Sequence, residues 1–241
     1  MESIRRRDVE NLGERSFRIG LWVGGSATPN KRTEALEKLR ALTRDPDAEN
    51  PYVLLRCPWC AAKFGPHEAS SDEPKRSKGF GRYKGGAARS EVLGYSKERL
   101  SSGDTVVYRC ADDACDFGGH PGSARPPLPI VVIDEDLLEH PPNLLIGTVD
   151  KFAMLAWNPA ARKIFGLNDA GRHDGIPPTL IIQDELHLIS GPLGSMVGAY
   201  EAVIQALCID PIGGGILPKV VASTATISRA REQVKSLYAR S

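Results

Sequence analysis

No apolar run in the 241 residues approaches the roughly 20 needed for a membrane-crossing helix. No apolar stretch follows the polar, basic start Met1–Arg7 either, so no secretory leader is expected. An excess of one charge is also lacking: 31 Lys and Arg stand against 30 Asp and Glu, a formal net charge of +1. That balance excludes a chain-wide basic coat, so any nucleic-acid contact must come from a local patch. Despite 24 Gly and 18 Pro there is no internal repeat and no collagen-like period. What is present suits a packed core: 41% apolar and 25% charged residues, over a length fitting one domain or a domain with a small insertion. The expectation is a soluble, cytoplasmic protein with no membrane partner.

Cysteine is scarce, yet its spacing is informative. Four of the five cysteines form two close pairs, Cys57/Cys60 and Cys110/Cys115, and Cys208 stands alone. Without a leader, a disulfide framework is disfavoured and a metal is the better reading. Four thiolates suit tetrahedral Zn²⁺. The two-residue gap of Cys57-Pro-Trp-Cys60 is a strong knuckle signal, and the four-residue gap of the second pair is less typical. His67 and His120 are spare candidates, and Cys208 reads as a core residue.

Three regions differ in texture. Residues 1–56 read as α/β, with an apolar run Phe17–Val23 and the turn Gly24-Gly25. Thr28-Pro29 then reads as a helix N-cap, and Asp45-Pro46 as the end of that helix. Residues 57–125 are Gly-, Ser- and Lys/Arg-rich, with β-prone runs Tyr52–Leu55 and Thr105–Tyr108 leading into the cysteine pairs, as in a zinc ribbon. Residues 126–241 return to α/β: strands are expected at Ile130–Ile133, Asn143–Gly147, Leu180–Gln183 and Lys219–Ala222. Helices are expected near Asp150–Phe165, Gly194–Cys208 and Ser228–Ala239. Such alternation predicts a parallel sheet covered on both faces.

Three strand ends carry polar groups. TLIIQDELH places Asp184 and Glu185 where α/β sheets bind ligands, at the carboxyl end of a strand, with His187 close behind. In nucleotide hydrolysis one such acid holds Mg²⁺ and the other deprotonates the attacking water. KVVASTAT ends in Ser223, Thr224 and Thr226, which can bond a neighbouring acid or simply form a turn. NLLIGTVDKF offers Thr148 as a phosphate contact or as an N-cap. Between the cysteine pairs, KRSKGFGRYKGGAAR brings Lys75, Arg76, Lys78, Arg82, Lys84 and Arg89 together with Phe80 and Tyr83. That mixture fits phosphate neutralisation with base stacking, and equally a solvated loop.

The order of the three strand ends resembles motifs Ib, II and III of superfamily 2 helicases of the DExH type. NLLIGTVDKFAMLAW, LIIQDELHLISGPLGSMVGAYEAVI, VVASTATI and RIGLWVGGSATPN are similar to the helicase family of the DISARM anti-phage system. The resemblance implies an RecA-like α/β domain made of residues 1–56 and 126–241, interrupted by a zinc-ribbon insertion at 57–125. It implies ATP and Mg²⁺ as cofactors beside Zn²⁺, with Asp184 on the metal and Glu185 as base. His187, Ser223, Thr224 and Thr226 would couple nucleotide to strand binding, and Thr148 would touch the nucleic-acid backbone. DNA and the remaining helicase segments, or other defence-system subunits, are the implied partners.

One element of that pattern is absent. No GxxxxGK[ST] loop occurs: Gly24–Lys31 lacks the Gly before Lys and the hydroxyl after it. The expectation is an incomplete first motor domain, an internal piece of a longer helicase or a gene fragment, inactive alone. The alternative is a non-catalytic zinc-ribbon nucleic-acid-binding module with a degenerate RecA-like half. A zinc hydrolase is disfavoured because DELH is not HExxH. Removing zinc is expected to loosen 57–125 and leave the α/β remainder folded.

Overall fold

In helical geometry, an acid three and four residues ahead of two arginines meets both. Glu2 does so in the first helix, α1 (Glu2–Arg7), taking Arg5 at 2.7 Å and Arg6 at 3.1 Å. Its carboxylate also accepts the Phe17 N–H at 2.7 Å, which closes the N-terminal segment onto the first strand. A computed structural model describes residues 1–67, 91–120, 123, 125–188, 191–209, 214–223 and 235. The chain divides into two units, Met1–Leu137 with Pro142–Ile146, and Leu138–Pro141 with Gly147–Ser241. The expected helix at Ser228–Ala239 lies outside the described residues.

In the first unit, α2 (Val9–Leu12) precedes β1 (Ile19–Trp22) and α3 (Arg32–Arg44). Four short strands follow: β2 (Gly65–His67), β3 (Glu91–Leu93), β4 (Tyr95–Leu100) and β5 (Gly103–Tyr108). Then come β6 (Ile130–Val131), α4 (Asp134–Glu139) and β7 (Leu144–Gly147). β1 lies at the centre of a sheet ordered β6-β1-β7 and pairs with β6 in parallel, Ile19 opposite Ile130. β2 pairs with β3, and β4 with β5, both antiparallel.

Helix α3 does not start at the expected Thr28 cap. Thr28 is buried, its chain turns back at Gly24, and Lys31 is the N-cap without a side-chain bond. Carboxylates take over the role of a capping hydroxyl: Glu34 accepts the Asn30 N–H and Glu135 the Arg32 N–H, both at 3.0 Å. The helix ends at Asp45, as expected before Pro46.

Tyr52–Leu55 joins no strand ladder, because its carbonyls are occupied otherwise. The Tyr95 hydroxyl donates to Leu54 O at 2.7 Å, and the Phe64 N–H to Leu55 O at 2.9 Å. Tyr52, Phe64, Tyr95 and Tyr108 pack together, mostly edge to face, with ring centroids 4.5 to 6.4 Å apart. The Tyr52 hydroxyl bonds Ala35 O on α3 at 2.6 Å. This aromatic group therefore fastens the antiparallel hairpins to the helix. A second fastening is ionic: buried Arg32 meets buried Asp136 at 2.5 Å, and Asp136 also accepts the Thr105 hydroxyl of β5. Deleting one member of such a pair typically costs about 3–5 kcal/mol, because the other charge stays buried.

In the second unit, α5 (Val149–Ala153) runs into a 3-10 turn at Met154–Ala156. The expected helix 150–165 is split at Asn158-Pro159. Proline has no N–H and disfavours helical backbone in the residue before it. Asn158 instead caps the Ala160 N–H at 3.1 Å and opens the 3-10 segment Pro159–Phe165. β8 (Leu180–Gln183) and β9 (Lys219–Ala222) pair in parallel with the expected boundaries. Helix α6 (Gly191–Leu207) lies between them in sequence. Val149 and Val220 pack with buried Leu186 and Val197.

The parallel pairing thus falls in two separate sheets, β6-β1-β7 and β8-β9, beside the two antiparallel pairs β2-β3 and β4-β5. Among the described residues, covering on both faces is not found for β8 and β9: Leu180 is 49%, Ile182 62% and Val221 43% exposed. Among the described residues, no helix is long and apolar enough to cross a membrane.

Candidate functional site

Two hairpin-like knuckles bring the cysteine pairs together in the first unit. In the first, the Ala61 N–H bonds Cys57 O at 2.9 Å and the Cys57 N–H bonds Ala62 O at 2.8 Å. Closing so tight a turn puts Ala61 at φ 63°, in the left-handed region that a side chain disfavours. The second knuckle is longer by two residues and is held by its own main chain. Cys110 N–H bonds Phe117 O at 2.9 Å, and Cys115 N–H bonds Asp112 O at 3.0 Å. Gly118 is required there, since a Cβ would lie 2.0 Å from the Asp112 carbonyl oxygen.

The four sulfurs of Cys57, Cys60, Cys110 and Cys115 lie within 4.8 Å of one another. Cys57 and Cys115 Sγ are 3.9 Å apart, and Cys60 and Cys110 Sγ 3.4 Å. Tetrahedral zinc with Zn–S of about 2.3 Å needs a sulfur–sulfur edge of about 3.8 Å. The two distances bracket that edge, so the cluster can hold a metal ion and is compatible with Zn²⁺. Neither spare histidine, His67 or His120, is in the cluster.

Electrostatics at the cluster are divided. The Ala62 N–H holds the Cys60 thiol below its ordinary value. Burial raises the Cys110 thiol and pushes Cys115 up to about 11. Main-chain donors offset some of that burial: the Asp112 N–H points at Cys110 Sγ at 3.4 Å. Such N–H groups favour the deprotonated sulfur that a metal requires. Cys208 is buried apart from the cluster, its thiol pushed up to about 12 by desolvation, as suits a core residue.

The second unit carries the acidic turn. β8 ends at Gln183, and Asp184 and Glu185 follow, both exposed. Two main-chain bonds tie this turn to the end of β9: Ser223 N–H to Gln183 O at 2.8 Å, and Leu186 N–H to Ser223 O at 3.0 Å. Asp184 Oδ1 accepts the Glu185 N–H at 2.9 Å. Glu185 has φ 53°, and with Ala61 it completes the non-glycine residues of positive φ among the described residues. Both belong to candidate sites, where strained backbone tends to collect. His187 Nδ1 is 3.2 Å from Glu185 Oε2, an ion pair when the ring is protonated.

The structure therefore places Asp184, Glu185 and His187 in one turn, to which Ser223 at the end of β9 is bonded through its main chain. Thr148 is exposed at the N-cap of α5 and makes no side-chain cap bond. Thr224 and Thr226 lie outside the described residues, as do Lys75, Arg76, Lys78, Arg82, Lys84 and Arg89. Sequence reasoning passed over Arg56, Trp59 and Lys63 of the first knuckle. A Trp inside the cysteine pair, with a cation on either side, was the signal available for them.

No family model matches the chain. It is similar to the DISARM protein DrmA of Bacillus paralicheniformis (strain ATCC 9945a / NCIMB 11709 / CD-2), 28% identical over 266 residues. The match covers 98% of this chain and 21% of that protein, so the chain spans about a fifth of its relative's length. The likeness to a DISARM protein first seen in four sequence segments therefore extends over nearly the whole chain.

Proposed function

We propose that this chain belongs to the first motor domain of an ATP-dependent DNA helicase or translocase acting in cytoplasmic anti-phage defence. Its RecA-like segments would be residues 1–56 and 126–241, with a zinc ribbon inserted at 57–125. The observation that carries this reading is the acidic turn: two adjacent carboxylates at the carboxyl end of a parallel strand, tied by main-chain bonds to the neighbouring strand's end. Similarity to a DISARM protein supports the defence role.

Within the turn, Asp184 Oδ1 is engaged by the Glu185 N–H, and Oδ2 has no protein partner among the described residues. Asp184 would hold Mg²⁺ through its carboxylate. When bound, Mg²⁺·ATP would supply the electrophilic phosphoryl group. Glu185, exposed beside it, takes the proton of the attacking water at its carboxylate. His187 steadies the Glu185 Oε2 atom and, with Ser223, Thr224 and Thr226, relays the state of the turn to strand binding. Thr148 and the basic residues Lys75 to Arg89 contact the DNA backbone. The four cysteines hold Zn²⁺ in a structural role, and the remaining partners are other segments of the helicase or further defence-system subunits.

The test places this segment in a longer protein that contains the phosphate loop and a second motor domain. Glu185→Gln keeps the size of the side chain and removes the base, so ATP hydrolysis should fall roughly 10²–10⁴-fold. ATP affinity should stay near wild type in that variant and weaken in Asp184→Asn. Near-wild-type hydrolysis by Glu185→Gln removes the acidic turn from the mechanism and the motor reading with it.

A further inference from the structure

Arg56 and Lys63 face each other across an antiparallel bridge at the base of the first knuckle. Like charges directly opposite on paired strands are destabilising. Neither has a carboxylate partner among the described residues, and both are exposed. The Arg56 guanidinium makes a single 3.3 Å bond to Ala61 O, which leaves most of its donors free. Between the two cations, in the turn they close, Trp59 is 51% exposed. It packs edge to face with buried Phe117, ring centroids 5.8 Å apart at 77°, which steadies the ring without burying it. An uncovered, steadied aromatic flanked by two unneutralised cations is the arrangement that takes an unstacked base with its flanking phosphates.

The segment 68–90, which carries the basic run, leaves and re-enters at the β2–β3 ladder, where His67 pairs with Glu91. Lys63 lies four residues before that exit. Among the described acids before the knuckle, Glu49 is engaged by Lys38, while Asp112, Asp113 and Asp116 belong to the second knuckle, where Asp112 Oδ1 is used by the Ala114 N–H.

We infer that Trp59 in the turn of the first knuckle, with Arg56 and Lys63 at its base, forms a contact for single-stranded nucleic acid. The base lies on the Trp59 indole and the phosphates on either side meet Arg56 and Lys63. Single strands are favoured over duplex because the base must be unstacked to reach the ring. The inference rests on the nucleic-acid component of the proposed function and adds residues that the motor motifs do not supply.

The experiment uses the zinc-loaded full chain and a fluorescently labelled oligothymidylate, with binding read by anisotropy over a salt series. Trp59→Ala should weaken binding roughly 5- to 100-fold, the equivalent of one stacked base, and Trp59→Phe should retain most of it. Arg56→Ala/Lys63→Ala should lower the slope of log affinity against log salt by about 1.4, two phosphate contacts at about 0.7 each. A duplex of the same length should compete poorly. Zinc content, measured in every variant, should not change. Wild-type binding that survives both variants overturns the inference while leaving the nucleic-acid reading intact, and Arg82→Ala/Lys84→Ala then locates the contact in the basic run. No binding by the wild-type chain overturns both. Loss of zinc in step with loss of binding also overturns it, because the two cations then serve to neutralise the thiolates.

Discussion

Glu2 shows how far one residue can depart from its ordinary chemistry. Its pKa falls from 4.5 to about 2, chiefly through the hydrogen bond from Arg5, with further lowering from the Phe17 N–H and Arg6. A depressed carboxylate stabilises the fold above its unfolded pKa, and that contribution disappears as pH falls through the folded value. Glu2→Gln should therefore cost about 1–2 kcal/mol at pH 7, allowing for solvent screening, and little near pH 2. Denaturant titrations at several pH values between 2 and 7 measure the difference, and parallel curves for the two proteins would refute it. Cysteine gives a second residue-scale expectation. Cys110→Ser should abolish the single equivalent of zinc, and Cys208→Ser should leave it in place, as read by metal analysis of the purified chain. The four ligand candidates were legible because covalent spacing alone brings each pair together. Glu2 was not picked out, although Arg5 and Arg6 at i+3 and i+4 were there to read. The left-handed backbone of Ala61 and Glu185 had no signal, since neither residue type prefers that conformation.

Among the elements, the cysteine insertion and helix α3 cannot be treated separately. Cys57, Cys110 and Cys115 belong to the same buried cluster as Ala35 and Leu42 of α3 and Ile133 beyond the insertion. This alters the expectation that metal removal loosens 57–125 alone. Chelation should also expose the amides of residues 32–44 to exchange, because the helix loses the packing beneath it. Hydrogen exchange followed with and without a chelator tests this; unchanged protection in α3 would restore the picture of an independent ribbon. Strands β8 and β9 were read to the residue, since three consecutive apolar positions in each lie close to turn-forming neighbours. Helix boundaries fared less well. Asn158-Pro159 is a breaker that the apolar periodicity of 150–165 concealed, and the start of α3 depends on Glu135, 103 positions away from the amide it caps. No local pattern announces a cap supplied from such a distance.

For the chain as a whole, alternation of strands and helices was enough to anticipate α/β character and parallel pairing. The division of the parallel strands between two separate sheets was not legible, because apolar strands look alike whichever neighbours they pair with. The bare face of β8 and β9 has a colloidal consequence. Leu180, Ile182 and Val221 present an apolar surface on a two-stranded parallel pair, and isolated pairs of that kind are poor at shielding their edges. Purified at rising concentration, the 241-residue chain should self-associate, with light scattering growing faster than linearly. Ile182→Lys should suppress that growth without altering metal content. Handling in the test tube, including yield, shelf life and the useful concentration range, would then be governed by three side chains remote in sequence from the four clustered cysteines.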